Sequence, residues 1–286
     1  MSRAIDSLLR EATAQLVESG VASARVDAEL LLGARLDLSR GDVLREALLG
    51  RVLEDEDVTA YRELVQQRAQ RVPLQHLTGY ADFAGLRLSV GPGVFVPRPE
   101  TEVLVARGYE VAEDLTCPVI VDLCTGSGAI AAALKQRWPA SDVHAVEASA
   151  HAHAWAEQNF ALLGLDIDLR LGDARTTFGE LDRDVDLVTC NPPYIPTGAV
   201  PQDPEVRLHD PPLALYGESE DGLRLPLLMA ALAAVLLRQG GVLLMEHGET
   251  QGETLTALLL ASGDWESVVD HRDWADRSRF VEGVRA

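Results

Sequence analysis

The four residues that follow one short apolar run have the types and order needed for chemistry on a planar nitrogen. Directly after Val185–Cys190 come Asn191, Pro192, Pro193 and Tyr194. The amide oxygen of Asn191 and the carbonyl oxygen of Pro192 can accept hydrogen bonds from one NH₂ group, whose flat face the ring of Tyr194 can cover. The delocalised lone pair makes such a nitrogen a poor nucleophile. Two acceptors that favour a pyramidal nitrogen would promote its alkylation by positioning and electrostatics.

A glycine-rich turn forms a second candidate site. The segment Asp122–Gly128 reads Asp-Leu-Cys-Thr-Gly-Ser-Gly and lies between a predicted strand and a predicted helix. Gly126 and Gly128 let the backbone approach a ligand closely. The segment has neither the Gly-Lys-Ser/Thr ending of a phosphate-binding loop nor the Gly-x-Gly-x-x-Gly dinucleotide pattern. It favours a ligand held without phosphate contacts, and a tight strand-to-helix turn is the structural alternative.

Two acidic residues follow the next predicted strands. Glu147 lies 21 residues after Gly126, where a carboxylate can accept hydrogen bonds from both hydroxyls of a ribose. Asp173, in the Gly172–Ala174 turn, can accept one from an adenine amino group. Because the carboxyl ends of parallel strands share one edge, these residues and the glycine turn would form one crevice. The set predicts an adenosine-containing cofactor without phosphate recognition, and S-adenosylmethionine fits.

The composition of the 286-residue chain is that of a globular protein, with 47% hydrophobic and 24% charged residues. Its net charge of −20 disfavours nucleic acid and anionic membranes and favours a basic protein surface as partner. Cys117, Cys124 and Cys190 form no Cys-x-x-Cys pair, so we expect no disulfide framework and no metal site. The start of the chain does not resemble a signal peptide, and the longest apolar run, Leu227–Leu237, is too short to span a bilayer. We therefore expect a cytoplasmic protein.

Hydrophobic patterning divides the chain into three predicted parts. Residues 1–72 show the 3.6-residue spacing of about four helices. Residues 73–100 alternate around glycines and prolines, which predicts a β-hairpin connector and an extended loop. Residues 101–286 predict an α/β domain with a mostly parallel sheet covered on both faces. Its predicted helices are 102–115, 128–137, 150–163, 222–238 and 250–261, and its predicted strands are 119–123, 143–146, 167–171, 185–190, 241–246, 265–270 and 278–282.

Four further segments, taken with the sites above, resemble a known family. They are RVDAELLL at 25–32, VFVPRPETE at 94–102, DPPLALYGESEDGL at 210–223 and EHGETQG at 246–252. In order, and over essentially the whole chain, these motifs resemble the PrmC/HemK family of peptide chain release factor N(5)-glutamine methyltransferases. Asn-Pro-Pro-Tyr alone is shared with DNA adenine and some RNA guanine methyltransferases, whereas PRPETE and LALYG-x₃-DGL are much more specific.

The resemblance implies a class I, Rossmann-like S-adenosylmethionine-dependent methyltransferase with a helical N-terminal domain that helps hold a release factor. Its substrate would be the side-chain amide nitrogen of the glutamine in the Gly-Gly-Gln loop. Asn191 and Pro192 would grip that NH₂ group, with Pro193 and Tyr194 beside it, and Phe95 would lie against the cofactor sulfonium. The cofactor-binding residues would be Phe95, Asp122, Cys124, Thr125, Gly126, Ser127, Gly128, Glu147, Asp173, Ala174 and Asn191.

This chain departs from the family's pattern at three positions. Cys124 stands where many relatives carry glycine, which gives the backbone less freedom. Glu147 stands where many carry aspartate, and the longer carboxylate still reaches. Ala174 stands where some relatives carry a large aromatic residue, so the packing against adenine would differ.

Three alternatives remain open at this point. An amino-methyltransferase for adenine or guanine in DNA or RNA shares the fold and Asn-Pro-Pro-Tyr, but should show a basic surface. A non-catalytic binding module would keep the cofactor and lose the transfer. A paralogue could methylate the glutamine of another protein. We expect a monomer that binds release factors, with no direct nucleic-acid or membrane partner.

Overall fold

The computed structural model describes residues 3–286. They form two compact units. One holds the chain up to Tyr80 together with Pro201–His209, and the other holds Ala81–Val200 with Asp210–Ala286. The smaller unit therefore takes a short piece from the later part of the chain.

The smaller unit is helical, as predicted. Its elements up to Thr78 are β1 (Arg3–Ala4), α1 (Ile5–Glu18), α2 (Ala24–Leu36), α3 (Arg40–Leu48), β2 (Val52–Leu53), α4 (Asp55–Ala69) and α5 (Leu74–Thr78). The buried face of α1 is the predicted stripe of Ile5, Leu8, Leu9, Ala12 and Leu16. It packs against α2 and α4 in one apolar core. Helix α5 corrects the prediction for the start of the connector, because the alternating apolar residues from residue 73 predict extended structure there.

An ionic cluster explains why Pro201–His209 belongs to the smaller unit. This piece forms helix α10 (Pro204–His209), which no pattern in the sequence predicts. Glu205 of α10 is buried and accepts hydrogen bonds from Arg68 and Arg71 at 2.6 and 2.5 Å. Arg68 also pairs with the buried Asp27 at 2.7 Å. Buried charges need such partners, and those of Glu205 lie 134 and 137 residues earlier in the chain.

The larger unit is built on a seven-stranded sheet. A predicted hairpin, β3 (Tyr80–Phe83) and β4 (Leu86–Ser89), precedes it. Its further elements are α6 (Glu102–Val111), β5 (Val119–Leu123), α7 (Ala129–Arg137), β6 (Asp142–Glu147), α8 (Ala150–Leu163), β7 (Asp168–Leu171), α9 (Ala174–Thr177), β8 (Val185–Cys190), α11 (Arg224–Leu236), β9 (Leu237–Glu246), α12 (Gly252–Ser262), β10 (Trp265–Arg272) and β11 (Ser278–Arg285). The strand order is β10-β11-β9-β8-β5-β6-β7. Strands β5 to β9 are parallel, and β11 and β10 are antiparallel.

The sheet is covered on both faces. Successive residues of a strand point to opposite faces, so Ile120 and Val121 of β5 pack into two separate apolar clusters. The first cluster contains side chains of α6, α7 and α8, and the second contains side chains of α9, α11 and α12. Within residues 3–286, no helix is both long and apolar enough to cross a membrane.

The structure corrects several predicted boundaries. Helix α6 ends at Val111 instead of residue 115, and α9 was not predicted. Strand β9 begins at Leu237 instead of residue 241, and α11 ends at Leu236 instead of 238. The early start of β9 follows from pairing of Leu237 with Val185. The polar, glycine-containing residues 238–241 give no strand signal of their own, so only the neighbouring strand reveals this extension.

Candidate active site at the carboxyl edge of the sheet

The parallel strands place the predicted site residues along one edge of the sheet. Asp122 lies near the end of β5, Glu147 ends β6, Asp173 follows β7 and Asn191 follows β8. Strand β5 lies between β6 and β8, and the helices that follow β5 and β8, α7 and α11, pack on opposite faces of the sheet. Open α/β sheets bind ligands outside the carboxyl ends of their strands at such a switch point.

Glu147 ties two loops together at this edge. Its Oε2 accepts a hydrogen bond from the Gly126 backbone N–H at 2.9 Å, and its Oε1 accepts one from the Ser149 N–H at 2.7 Å. Burial raises the pKa of the Glu147 carboxyl, against the lowering effect of these bonds. Each carboxylate oxygen has more than one lone pair, and the side chain is only half-buried. Glu147 therefore keeps acceptor capacity toward the edge.

The two glycines of the turn have different roles. Gly126 has a φ of +59°, and a Cβ at this position would meet nothing within 4 Å. It therefore faces open space, where a ligand can approach the backbone. Gly128 has a φ of +81°, and a Cβ there would lie 2.5 Å from the Phe160 ring. Gly128 is required for packing of the turn against α8.

Cys124 adopts the left-handed conformation, with a φ of +58°. This conformation costs an L-residue about 1–2 kcal/mol that glycine does not lose. The strain explains at the backbone level why a glycine suits this position. The Cys124 side chain packs against the apolar cluster beneath the sheet edge.

Asp122 lies beneath the turn. Its carboxylate accepts hydrogen bonds from Thr125 Oγ1 at 2.5 Å and Thr189 Oγ1 at 2.7 Å, and the residue is 1% exposed. Burial raises the pKa of Asp122 to about 6, although both hydroxyls lower it. Thr125 and Ser127 are buried as well. The side chains of these three predicted cofactor-binding residues thus point into the protein, and their contacts support the shape of the turn.

Asp173 has a partner of its own. Its Oδ1 accepts a hydrogen bond from the Arg175 backbone N–H at 3.0 Å, which caps α9, and from Arg175 Nε at 2.9 Å. This side-chain bond is the main cause of the lowered pKa of Asp173. Ala174 is buried next to it. The pairing with exposed Arg175 was not predicted from the sequence.

Phe95 of the extended loop is covered on one ring face by a cation. The Arg98 guanidinium lies 4.9 Å from the ring centroid. Arg98 Nη2 also bonds to Asp210 Oδ2 at 2.8 Å, and the Asp210 side chain is fully buried. The contact joins PRPETE to the start of DPPLALYG and fixes the loop that carries Phe95.

The Asn-Pro-Pro-Tyr segment is held by its last residue. Tyr194 OH donates a hydrogen bond to Glu246 Oε1 at 3.2 Å, and its carbonyl accepts one from Gln251 Nε2 at 2.9 Å. Burial raises the pKa of Tyr194, so its phenol stays neutral. In the described part of the chain, no residue hydrogen-bonds to the half-buried Asn191 amide. That amide is available for a ligand.

Glu246 is a site residue for which no individual role was predicted from the sequence. It is 1% exposed and accepts a second hydrogen bond from Thr101 Oγ1 at 2.6 Å. Burial raises its pKa to about 7, and the nearby Glu100 adds to this while Arg279 and the hydroxyls oppose it. Thr101 belongs to PRPETE, Tyr194 to Asn-Pro-Pro-Tyr and Glu246 to EHGETQG. Three distant motifs therefore meet at one carboxylate.

Gln251 connects a fourth motif to the same segment. Its Oε1 accepts a hydrogen bond from the Gly248 N–H at 2.7 Å, and its Nε2 also donates to the Asp221 carbonyl at 2.8 Å. Gly222 next to it allows close approach, since a Cβ there would lie 2.1 Å from the Tyr194 carbonyl oxygen. The position of these residues within family motifs was the only sequence signal for their role.

Similarity to known proteins agrees with this arrangement. Residues 7–79 match the family model of the PrmC N-terminal domain, and residues 102–206 match that of the methyltransferase small domain. The chain is 46% identical over 280 residues to a release factor glutamine methyltransferase of Streptomyces coelicolor, covering 96% of both chains. This chain belongs to the release factor glutamine methyltransferase family. The relative from Mycolicibacterium smegmatis is 44% identical and covers 97% of this chain and 96% of its own.

One similar protein is named for a different substrate. A 4-amino-L-phenylalanine/4-methylamino-L-phenylalanine methyltransferase of Streptomyces pristinaespiralis is 41% identical and covers 90% of this chain and 87% of its own. Among solved structures, the 16S rRNA N2 G1207 methyltransferase of Thermus thermophilus, in complex with AdoMet and guanosine, has a TM-score of 0.52. It is 18% identical and covers 72% of this chain and 50% of its own. That likeness confirms the predicted Rossmann-like methyltransferase fold.

Proposed function

We propose that this chain transfers a methyl group from S-adenosylmethionine to the side-chain amide nitrogen of the glutamine in the Gly-Gly-Gln motif of peptide chain release factors. The observation that carries the proposal is the position of Asn191. Its unengaged amide lies at the sheet edge shared with Gly126 and Glu147. Membership of the release factor glutamine methyltransferase family supports the same substrate.

The residues of this edge fit the cofactor. Gly126 faces open space, and Glu147 beside it keeps acceptor capacity for ribose hydroxyls. The cofactor, when bound, supplies an electrophilic methyl group on a sulfonium sulfur. We assign the ribose to Glu147, the methionine part to Cys124–Gly128 and the adenine to the region of Asp173 and Ala174. To accept a hydrogen bond from the adenine amino group, the Asp173 carboxylate must do so while it also accepts one from Arg175 Nε.

The glutamine amide would be held by the Asn-Pro-Pro-Tyr segment. The Asn191 amide oxygen and the Pro192 carbonyl accept hydrogen bonds from its NH₂ group, and Tyr194 packs beside it. These contacts favour a pyramidal nitrogen whose lone pair points to the methyl group. With the cofactor bound, the nitrogen–carbon bond would form as the sulfur–carbon bond breaks, S-adenosylhomocysteine would leave, and the amide nitrogen would lose its proton to water. Among residues 3–286, no group of three or more His, Cys, Asp and Glu side chains could hold a metal ion.

A second candidate substrate is an aromatic amine, because one relative is named for 4-amino-L-phenylalanine. The aryl amine is also planar, and the same two acceptors could hold it. The helical unit favours the release factor, since its match to the PrmC N-terminal domain supports the predicted docking role. The docking role of the helical unit stays a prediction. So do the monomeric state and the cytoplasmic location of the protein.

The test is transfer of labelled methyl from S-adenosylmethionine with several acceptors in parallel. These are purified release factors, their Gly-Gly-Gln→Gly-Gly-Ala variants, 4-amino-L-phenylalanine, DNA and RNA. We expect label on the release factor with its native Gly-Gly-Gln sequence and none on the Gly-Gly-Ala variant. Label on the amino acid alone would favour the second candidate. Label on nucleic acid, or none despite cofactor binding, would overturn the proposal.

A further inference from the structure

A tight turn at the same sheet edge presents an exposed tryptophan. Strand β11 runs antiparallel to β9, and its Phe280 pairs with Glu246, the last residue of β9. Residues 273–277, which connect β10 to β11, therefore lie beyond the carboxyl ends of the parallel strands. Trp274 in this turn is 71% exposed, whereas Trp138 and Trp265 are buried. An exposed tryptophan is typical of the centre of protein interfaces.

The turn is ordered by its own hydrogen bonds. Asp273 Oδ1 accepts from the backbone N–H groups of Ala275 at 2.8 Å and Arg277 at 3.0 Å. Asp273 Oδ2 pairs with Arg279 at 3.3 Å. Since these bonds fix the backbone beneath Trp274, binding of a partner would lose little conformational entropy there.

The same arginine connects the turn to the site. Arg279 also bonds through its backbone, since its carbonyl oxygen accepts a hydrogen bond from the His247 N–H at 2.9 Å. His247 directly follows Glu246, and the Arg279 charge lowers the pKa of the Glu246 carboxyl. The turn is thus attached to the strand end that supports Tyr194.

The distance from this turn to the Asn-Pro-Pro-Tyr segment selects the kind of partner. Strands β8, β9, β11 and β10 are successive neighbours, and adjacent strands lie about 4.8 Å apart. The turn between β11 and β10 is two to three strands from β8, so it is about 10–15 Å from the end of β8 along the sheet edge. An extended chain covers this span in about three to five residues. A protein that places a glutamine at Asn191 can reach Trp274, but a free amino acid cannot.

We propose that Trp274 is a docking residue for the protein substrate. It packs against an apolar part of the substrate surface about 10–15 Å from the methylated glutamine. The partner is a folded protein that carries its glutamine in an exposed loop, so the inference rests on the proposed function. Trp274 contributes to binding of the whole protein and does not contact the reacting atoms.

The experiment compares Trp274→Ala with the wild type and with Leu162→Ala. Leu162 is a matched control because it is 69% exposed but lies near the end of α8, whose direction places it at the opposite edge of the sheet. For full-length release factor, Trp274→Ala should raise KM by about tenfold with kcat at saturation unchanged. The Kd for S-adenosylmethionine, the melting temperature and the rate with a short Gly-Gly-Gln peptide should equal those of the wild type. Leu162→Ala should match the wild type in every assay.

Three outcomes would contradict the docking role or the proposed function on which it rests. If the wild type methylates the release factor and Trp274→Ala keeps the same KM, the docking role is wrong and the proposed function stands. An equal loss with the short peptide would also overturn the docking role, since it would place Trp274 in the reaction itself. If the wild type does not methylate the release factor, the proposed function is wrong, and the docking role is wrong with it. Trp274→Phe should recover most of the wild-type KM, because an aromatic ring is retained.

Discussion

The glycine turn after β5 and the Asn-Pro-Pro-Tyr segment after β8 each depend on a buried carboxylate that accepts two hydroxyl hydrogen bonds. Beneath the glycine turn, Asp122 binds Thr125, three residues away, and Thr189 on the adjacent strand. Beneath Asn-Pro-Pro-Tyr, Glu246 binds Tyr194 and Thr101, which are 52 and 145 residues away. The first loop is therefore shaped mainly by its own sequence, and the second by the folded molecule.

This difference fits the tasks proposed for the two loops. A loop for a cofactor of constant shape can be encoded locally, with glycine conformations and one nearby hydroxyl. A loop that grips part of a larger substrate must be positioned against the surfaces that bind the rest of that substrate. Contacts to PRPETE and EHGETQG through Thr101 and Glu246 provide such a connection.

The largest predicted effect separates the two loops by function. Asn191→Ala should lower kcat by about a thousandfold, because it removes one of two acceptors that stabilise the reacting nitrogen. The Kd for S-adenosylmethionine should stay within about threefold of the wild type, since the glycine turn is unchanged. Labelled methyl transfer and calorimetric titration measure the two quantities. Near-normal turnover in this variant would remove Asn191 from the site.

An intermediate effect concerns the pH dependence of stability. Burial raises the folded-state pKa of Glu246 from 4.5 to about 7 and that of Asp122 from 3.8 to about 6. The folded state therefore binds these protons more tightly than the unfolded state. The resulting stabilisation is complete below the unfolded-state pKa and is lost as the pH rises through the folded-state pKa.

Replacing either carboxyl by its neutral amide should weaken the pH dependence of stability, and each replacement should do so over a different pH range. Relative to the wild type, Glu246→Gln should become more stable as the pH rises from about 4.5 to 7, and Asp122→Asn from about 4 to 6. The total change is about 3 kcal/mol for each, at 1.4 kcal/mol per pKa unit. Urea unfolding at half-unit pH intervals measures the free energy of unfolding of each protein. A pH-independent loss of stability from altered hydrogen bonds would shift a variant's whole curve and would not change its slope against pH. Parallel curves for wild type and variants would show that neither carboxyl titrates as stated.

The smallest effect tests the local encoding of the glycine turn. Cys124→Gly should stabilise the protein by about 1 kcal/mol, because it relieves the positive φ of 58°, partly offset by glycine's greater entropy in the unfolded chain. Urea unfolding at fixed pH measures the change. Gly126→Ala is the reverse control. It should destabilise by a similar amount, since a Cβ there meets no atom and adds only strain. A destabilised Cys124→Gly variant would mean that the lost side-chain packing outweighs the strain.

Most elements of both units were predictable, because apolar periodicity and turn residues are local signals. The stripe of α1, the strand Val119–Leu123 and the hairpin before residue 90 were all predicted and are confirmed. Strand β9 was predicted four residues too short, because its start at Leu237 depends on pairing with Val185. Helix α10 had no local signal strong enough to place it, and Glu205 finds its partners on another part of the chain.

The sequence alone determined the motifs, their order and the chemistry that their side chains can perform. It placed Asn191, Glu147 and the glycine turn at strand ends, and parallel strands then require a common edge. Only the tertiary structure decided that Glu246 joins Thr101 to Tyr194, that Arg175 engages Asp173, and that Trp274 stands exposed beside the site. The reason is physical: side-chain type and backbone preference are properties of neighbouring residues. Burial, which shifts a pKa or exposes a ring, depends on residues that meet only when the chain is folded.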